Sequence, residues 1–225
     1  MEQRTVNLET KNRRNRRNIV ITCFTLFFAL WLMVETGDAS LIDEPIGNAV
    51  ISTRSSFLTP MMKAITYMGN WQAITAICLI MLAFSKTRVT YGVPLSIGAI
   101  FVSLVNKGIK AIVSRPRPDA ALHLIEQGGW SFPSGHAITS MFFFGMVIWL
   151  IRRNVQNRRL ANILTMLLAI PTILVGVSRV YLGVHYPTDV LAGWCLGVVA
   201  IALFSWFATL FPMSIGTRRK YITKK

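Results

Sequence analysis

Two histidines and one carboxylate, His136, His185 and Asp189, stand out in a chain otherwise dominated by apolar side chains. A carboxylate near an imidazole fixes its tautomer and raises its basicity. A His185–Asp189 pair can therefore prepare one ring nitrogen for attack on phosphorus, and a second histidine completes the requirements of a two-step transfer. The cations nearest these residues, Lys110, Arg117 and Arg179, lie at the mouths of apolar segments, where ionisable groups are costly and are usually paired or functional. The acids close to them in sequence are Asp119, Glu126 and Asp189. A bound phosphate would supply the missing anion, since guanidinium forks match its oxygens. Pro133-Ser134-Gly135-His136 opens an apolar helix, and the unpaired N–H groups of a first helical turn form an anion site. Ser134 suits the cap, and Gly135 lets the backbone approach a ligand. Taken singly, each feature also has a plainer reading: cations reaching toward headgroups, a cap and a turn, a satisfied His–Asp pair at a helix end. His123 has no such company and reads as a loop residue.

The elements that must position these residues are membrane helices. Of 225 residues, 53% are hydrophobic and 15% charged, against about 25% charged in a soluble domain. The expected fold is all-α, a polytopic helical bundle with six transmembrane spans. A span needs about 20 mostly apolar residues, and the pattern places them near 19–35, 71–84 (beginning as early as Ile65), 91–113, 134–151, 161–177 and 188–211. Between the first two, Phe57, Met61, Ile65 and Met68 share one helical face. They predict a short helix at the outer interface, with an extension of the second span as the alternative. The domain expectation is a basic tail over 1–18, a six-span unit over 19–211 and a second basic tail over 212–225.

Charge gives the orientation. Seventeen of the 24 Lys and Arg fall in the two tails and in the gaps after the second and fourth spans. The other seven, Arg54, Lys63, Lys107, Lys110, Arg115, Arg117 and Arg179, fall on the opposite side. The positive-inside rule then puts both termini in the cytoplasm and the candidate chemistry on the outer, periplasmic side of the plasma membrane. The basic blocks suit that rule better than a nucleic-acid face, despite the net charge of +15. A basic start, a short apolar run and Gly37-Asp38-Ala39-Ser40 also resemble a signal peptide with a weak cleavage site. Cys23, Cys78 and Cys195 sit inside apolar segments and read as small buried hydrophobes without an evident partner. Gly193 and Gly197 have a small-xxx-small spacing that suggests helix packing. The sequence contains no metal-ligand cluster and no nucleotide-cradling glycine loop.

The three stretches together resemble the signature of the phosphatidic acid phosphatase type 2 superfamily, which also includes vanadium haloperoxidases and bacterial acid phosphatases. The pattern K-x6-R-P is met by Lys110 and Arg117-Pro118. P-S-G-H is met by Pro133-Ser134-Gly135-His136, and S-R-x5-H-x3-D by Ser178-Arg179, His185 and Asp189. All eleven fixed positions are present in order; Arg115-Pro116 is a second Arg-Pro at the wrong spacing. The six-span layout is similar to the membrane lipid phosphatase branch. The resemblance implies His185 as the nucleophile that forms a phosphohistidine and Asp189 as the group that orients it. It implies His136 as general acid and base, with Lys110, Arg117, Arg179, Ser134 and the Gly135 N–H holding the phosphoryl oxygens. It implies no metal and no cofactor. The expected partner is a membrane lipid phosphate or pyrophosphate, such as phosphatidylglycerophosphate, phosphatidic acid or undecaprenyl pyrophosphate, with no nucleic acid and no obligate protein partner. The competing expectations are a lipid phosphotransferase of the same fold and a lipid transporter or binding protein with a degenerate site.

Overall fold

The computed structural model describes the backbone of residues 2–210 and the side chains of 13–206; the expected basic tail at 212–225 and the end of the sixth span at Phe211 lie outside them. All regular structure among the described residues is helical. Helix α1 (Glu2–Thr36) carries the first span, and the polar stretch expected as a tail continues the same helix. Then come α2 (Ser40–Ser52), α3 (Leu58–Tyr67) and α4 (Trp71–Ala83). The three-residue α5 (Ser85–Thr87) and a π-helical turn (Arg88–Gly92) lead into α6 (Val93–Val113). The long helices α7 (Gly135–Asn154), α8 (Arg158–Tyr181) and α9 (Pro187–Leu210) complete the bundle.

Among the described residues, five helices are long and apolar enough to cross a membrane, and a sixth crossing is made if α3 and α4 are taken together across their 46° bend. The short helix expected near Phe57–Met68 is α3. It joins the second span through the break at Met68-Gly69-Asn70, so both expectations for this stretch hold in part. Asn70 caps α4 by accepting the Trp71 N–H at 3.0 Å. Helix α2 was not anticipated: Pro45 and Gly47 weaken its pattern, yet the chain turns at Gly37 (φ +87°) and continues as helix.

Lys110 lies in the last turn of α6, inside the expected span 91–113, whereas Ser178 and Arg179, expected just past the span at 161–177, lie in the last turn of α8. A backbone at membrane depth must satisfy its own hydrogen bonds, so each helix runs on until a residue can end it. Helix α6 ends at Ser114, whose left-handed conformation (φ 47°, ψ 35°) directs its N–H to Lys110 O at 3.0 Å. That turn sends Arg115 and Arg117 back over the end of the bundle.

Helix α7 packs between α8 and α9, and α1 packs on α9. Gly193 and Gly197 face α7 so closely that a Cβ at Gly193 would stand 2.9 Å from Ser134 O, and one at Gly197 2.6 Å from Met141 Cβ. Close backbone approach of this kind replaces the hydrophobic driving force that lipid does not supply. Free thiols at Cys23 and Cys195 meet across α1 and α9, so these two cysteines do have each other as neighbours. The Ser134 N–H donates to Asp189 O at 3.0 Å, which fixes the start of α7 against the start of α9. The two helices that bear His136 and Asp189 are thereby held in register.

Candidate active site

His185 lies in the turn before α9, two residues ahead of Pro187, with only 4% of its surface exposed. Its Nδ1 is 3.2 Å from Asp189 Oδ2 and 3.3 Å from Ser131 Oγ. The i, i+4 spacing across the first turn of α9 makes the carboxylate contact almost unavoidable. With Nδ1 facing a carboxylate, the ring proton belongs on Nδ1 and the lone pair on Nε2. Arg117 Nη1 stands 3.2 Å from that Nε2. Burial pulls the imidazole down to about 3, Asp189 opposes the shift, and Arg179 and Arg117 add to it. His185 is therefore a neutral base, the form that can attack.

Asp189 is held on both oxygens. Oδ2 accepts the Tyr186 N–H at 2.9 Å and the Ser131 hydroxyl, while Oδ1 accepts Arg115 Nη1 at 2.7 Å. Arg115 also reaches Asp43 Oδ2 at 2.6 Å, and Thr188 donates to Asp43 from both its N–H and its hydroxyl at 2.9 Å. Its guanidinium lies 4.0 Å from the centre of the Tyr186 ring. Burial disfavours the charged guanidinium, but Asp189 and Asp43 outweigh that and hold its proton more tightly than usual. Arg115, Asp43 and Ser131 were not among the expected site residues. The available signals were a group of acids just past the first span, Asp38, Asp43 and Glu44, and a second arginine two residues before the motif arginine.

The expected cations converge from two helices and a loop: Lys110 from α6, Arg179 from α8 and Arg117 from the stretch after α6. Arg117 leans on the loop through Gly128 O (2.9 Å), Gly129 O (2.9 Å) and Trp130 O (3.1 Å), and Nη1 reaches Val184 O at 2.6 Å. Burial lowers its proton affinity, with Asp189 opposing. Lys110 Nζ donates to Ser131 O at 2.9 Å and to Trp130 O. Arg179 is 1% exposed; Nη1 donates to Thr66 at 2.8 Å and Nη2 to Gln127 at 2.5 Å. Its Nε is buried with no partner among the described residues. A buried cation with an unused donor is costly unless an anion meets it.

Ser134 caps α7, accepting the Ala137 N–H at 3.5 Å, and is fully buried. Gly135 packs against Asn106, whose Nδ2 would be 2.9 Å from a Cβ there. His136 follows on the first turn of α7, in the field of Arg179, His185, Arg117 and Lys110. No hydrogen bond holds its ring among the described residues, and it lines two cavities, of about 450 and 800 Å³. A third cavity, about 370 Å³, lies on the far side of His185 between Arg115 and α2. His123 sits apart, with Nε2 3.1 Å from Pro118 O. The eight expected residues thus gather at one end of the bundle. Two imidazoles, one neutral and backed by a carboxylate, meet there beside a cluster of cations, an arrangement able to transfer a phosphoryl group.

Comparison with known proteins gives the family and the fold. The family model of the PAP2 superfamily matches residues 91–212. Phosphatidylglycerophosphatase B of Bacillus subtilis is 29% identical over 193 residues, covering 83% of this chain and 93% of that protein. An undecaprenyl-diphosphatase of Sulfolobus acidocaldarius is 33% identical over 132 residues, 56% of this chain and 58% of that one. The crystal structure of a transmembrane PAP2-type phosphatidylglycerolphosphate phosphatase from Bacillus subtilis superposes with a TM-score of 0.78 at 28% identity, covering 86% of this chain and 98% of that one. The chain described here belongs to the PAP2 superfamily.

Proposed function

We propose that the protein is an integral membrane lipid phosphatase that hydrolyses a lipid phosphate or pyrophosphate through a phosphohistidine. The observation that carries this reading is the placement of His185. Its Nδ1 is 3.2 Å from Asp189, and its Nε2 faces Arg117 in the cationic cluster that includes Arg179, whose Nε has no partner among the described residues. In the first step Nε2 attacks phosphorus, the bond to the lipid oxygen breaks, and His136 gives that oxygen a proton. In the second, His136 takes a proton from water, the hydroxide displaces Nε2, and phosphate leaves. Asp189 stabilises the positive charge on the His185 ring while phosphorus is attached. Lys110, Arg117, Arg179, Ser134 and the Gly135 N–H hold the equatorial oxygens, a positioning and charge-stabilising role that dominates phosphoryl transfer.

The domain division follows the same reading: residues 19–211 form the catalytic bundle between two basic tails. Both termini are cytoplasmic and the site faces the outer leaflet, on the strength of the seventeen-to-seven split of Lys and Arg. A lipid then reaches the site sideways while its tail stays in the bilayer.

Acid-quenched wild-type enzyme mixed with labelled lipid phosphate is expected to carry label on histidine, and His185→Ala to carry none. Label retained in that variant places the nucleophile elsewhere. For orientation, single cysteines at Ala121 and Gln156 replace the three native ones. An impermeant thiol reagent applied to intact cells should reach Ala121→Cys and spare Gln156→Cys; the reverse inverts the topology.

A further inference from the structure

We propose that the groove on the His136 side binds a second phosphate group, the one the lipid keeps after hydrolysis, with Lys63 and Lys107 as its counter-charges. The proposal rests on the lipid phosphatase reading and narrows the substrate to lipids whose leaving group is itself an anion.

The argument starts from direction. His136 protonates the leaving oxygen, so the leaving group lies on the side that His136 faces. Two cavities meet there, of about 450 and 800 Å³, sharing Asn70, Gln127 and His136. Lys63, on α3, lines the smaller one beside Arg179. Lys107, on α6, lines the larger one beside Asn106. Neither lysine has an ion pair or hydrogen bond among the described residues. Glu126 is the single acid in the two linings, set against Lys63, Lys107 and Arg179. This side of the site is therefore electropositive beyond the needs of the scissile phosphate, which Lys110, Arg117 and Arg179 already serve.

A lysine at headgroup depth can simply reach for lipid headgroups. Two observations set this pair apart, and Lys63 is in addition partly buried whereas Lys107 is exposed. Both line the cavities that end on the general acid. The residues the two cavities share, Asn70, Gln127 and His136, are polar, and Asn106 Oδ1, in the wall of the larger one, is buried with no partner among the described residues. A lipid monophosphate that departs as a neutral alcohol offers two lysines nothing. A leaving group that carries a phosphodiester, or a second phosphoryl group bonded directly to the first, offers an anion one short spacer away from the reacting phosphorus. Placing that anion orients the scissile bond toward His136 and the phosphorus toward His185, which converts binding energy into rate.

The test uses the purified full chain in detergent micelles and three lipids: phosphatidylglycerophosphate, a polyprenyl pyrophosphate and phosphatidic acid. The first two keep a phosphate on the product, with and without a glycerol spacer, and the third does not. The wild type is expected to show kcat/KM at least about tenfold higher on one or both two-phosphate lipids than on phosphatidic acid. The double variant Lys63→Gln, Lys107→Gln should lose most of that preference, and the charge-keeping pair Lys63→Arg, Lys107→Arg should retain it. A preference that stays within twofold of wild type in the glutamine variant overturns the proposal. So does a wild type that favours phosphatidic acid, or an arginine pair as indifferent as the glutamine pair. A wild type that releases phosphate from none of the three overturns the lipid phosphatase reading instead.

Discussion

At the end of the bundle where α7 begins, Arg115, Arg117 and Arg179 are drawn inward and spend their donors on residues as far as 113 positions away. At the opposite end, Arg152, Arg153, Arg158 and Arg159 are exposed. Arg152 reaches Asn162 at 3.2 Å, and Arg153 lies 5.2 Å over Trp149. The residue type is the same and the cost is not. Solvated arginines satisfy themselves with water and headgroups, whereas buried ones need named acceptors and an anion. A cation count therefore gives orientation, while partner atoms locate chemistry.

The sharpest way to break the comparison is at Asp189. Asp189→Asn keeps the shape but removes the charge behind His185, and kcat should fall on the order of 10⁴, by analogy with the carboxylate of a Ser-His-Asp triad. A loss below tenfold on a lipid phosphate would mean that His185 needs no orienting charge. Arg115→Ala is next. It leaves Asp43 and Asp189 buried without their shared cation, a change that costs about 3–5 kcal/mol when one partner of a buried pair is removed. Thermal inactivation in detergent should show the loss, with Arg115→Lys restoring part of it. Unchanged stability would reduce Arg115 to the status of the exposed arginines.

A smaller effect separates the ends through pH. His185 takes its proton near 3 in the folded chain against 6.5 in an unfolded one. The unfolded state therefore binds more protons across that window, and folded stability falls as pH drops through it. For the same reason the nucleophile stays neutral below pH 6.5, so the acid limb of kcat/KM, corrected for substrate titration, should lie well under that value. A limb centred at 6.5 would show an imidazole as solvated as a surface one. The smallest effect is expected at the opposite end, where Arg152→Ala and Arg158→Ala should each shift stability by no more than about 0.5 kcal/mol and leave kcat/KM within twofold.

The two candidate histidines, Asp189 and the three motif cations were legible because each motif is short: the first crosses the end of α6, the second opens α7, and the third joins the end of α8 to the start of α9. Asp43 was not legible, because its partners Arg115 and Thr188 are 72 and 145 positions away. Arg115 has the wrong spacing from Lys110 for the motif, yet it grips the Asp189 carboxylate. Ser131 lies just before the P-S-G-H stretch, and only the fold aims its hydroxyl at both Asp189 and His185. Span ends were misread where polar motif residues sit on helices, as Ser178 and Arg179 do on α8. Hydropathy falls there, but the demand for backbone hydrogen bonds does not.

The link from Asp43 to Thr188 has a consequence for how the protein is made. Asp43 leaves the ribosome 145 residues ahead of Thr188. At about 5–20 residues per second, the interval is roughly 7–30 s. During that time α1 and α2 hold an acid at the membrane border before its partner helix has been synthesised. The site closes when the last described helix arrives and Thr188 and Asp189 meet Asp43 through Arg115. A nascent chain stopped short of α9 would possess Lys110, Arg115, Arg117, Arg179 and both histidines but lack Asp189 behind His185, so phosphatase activity should switch on only once α9 is in place.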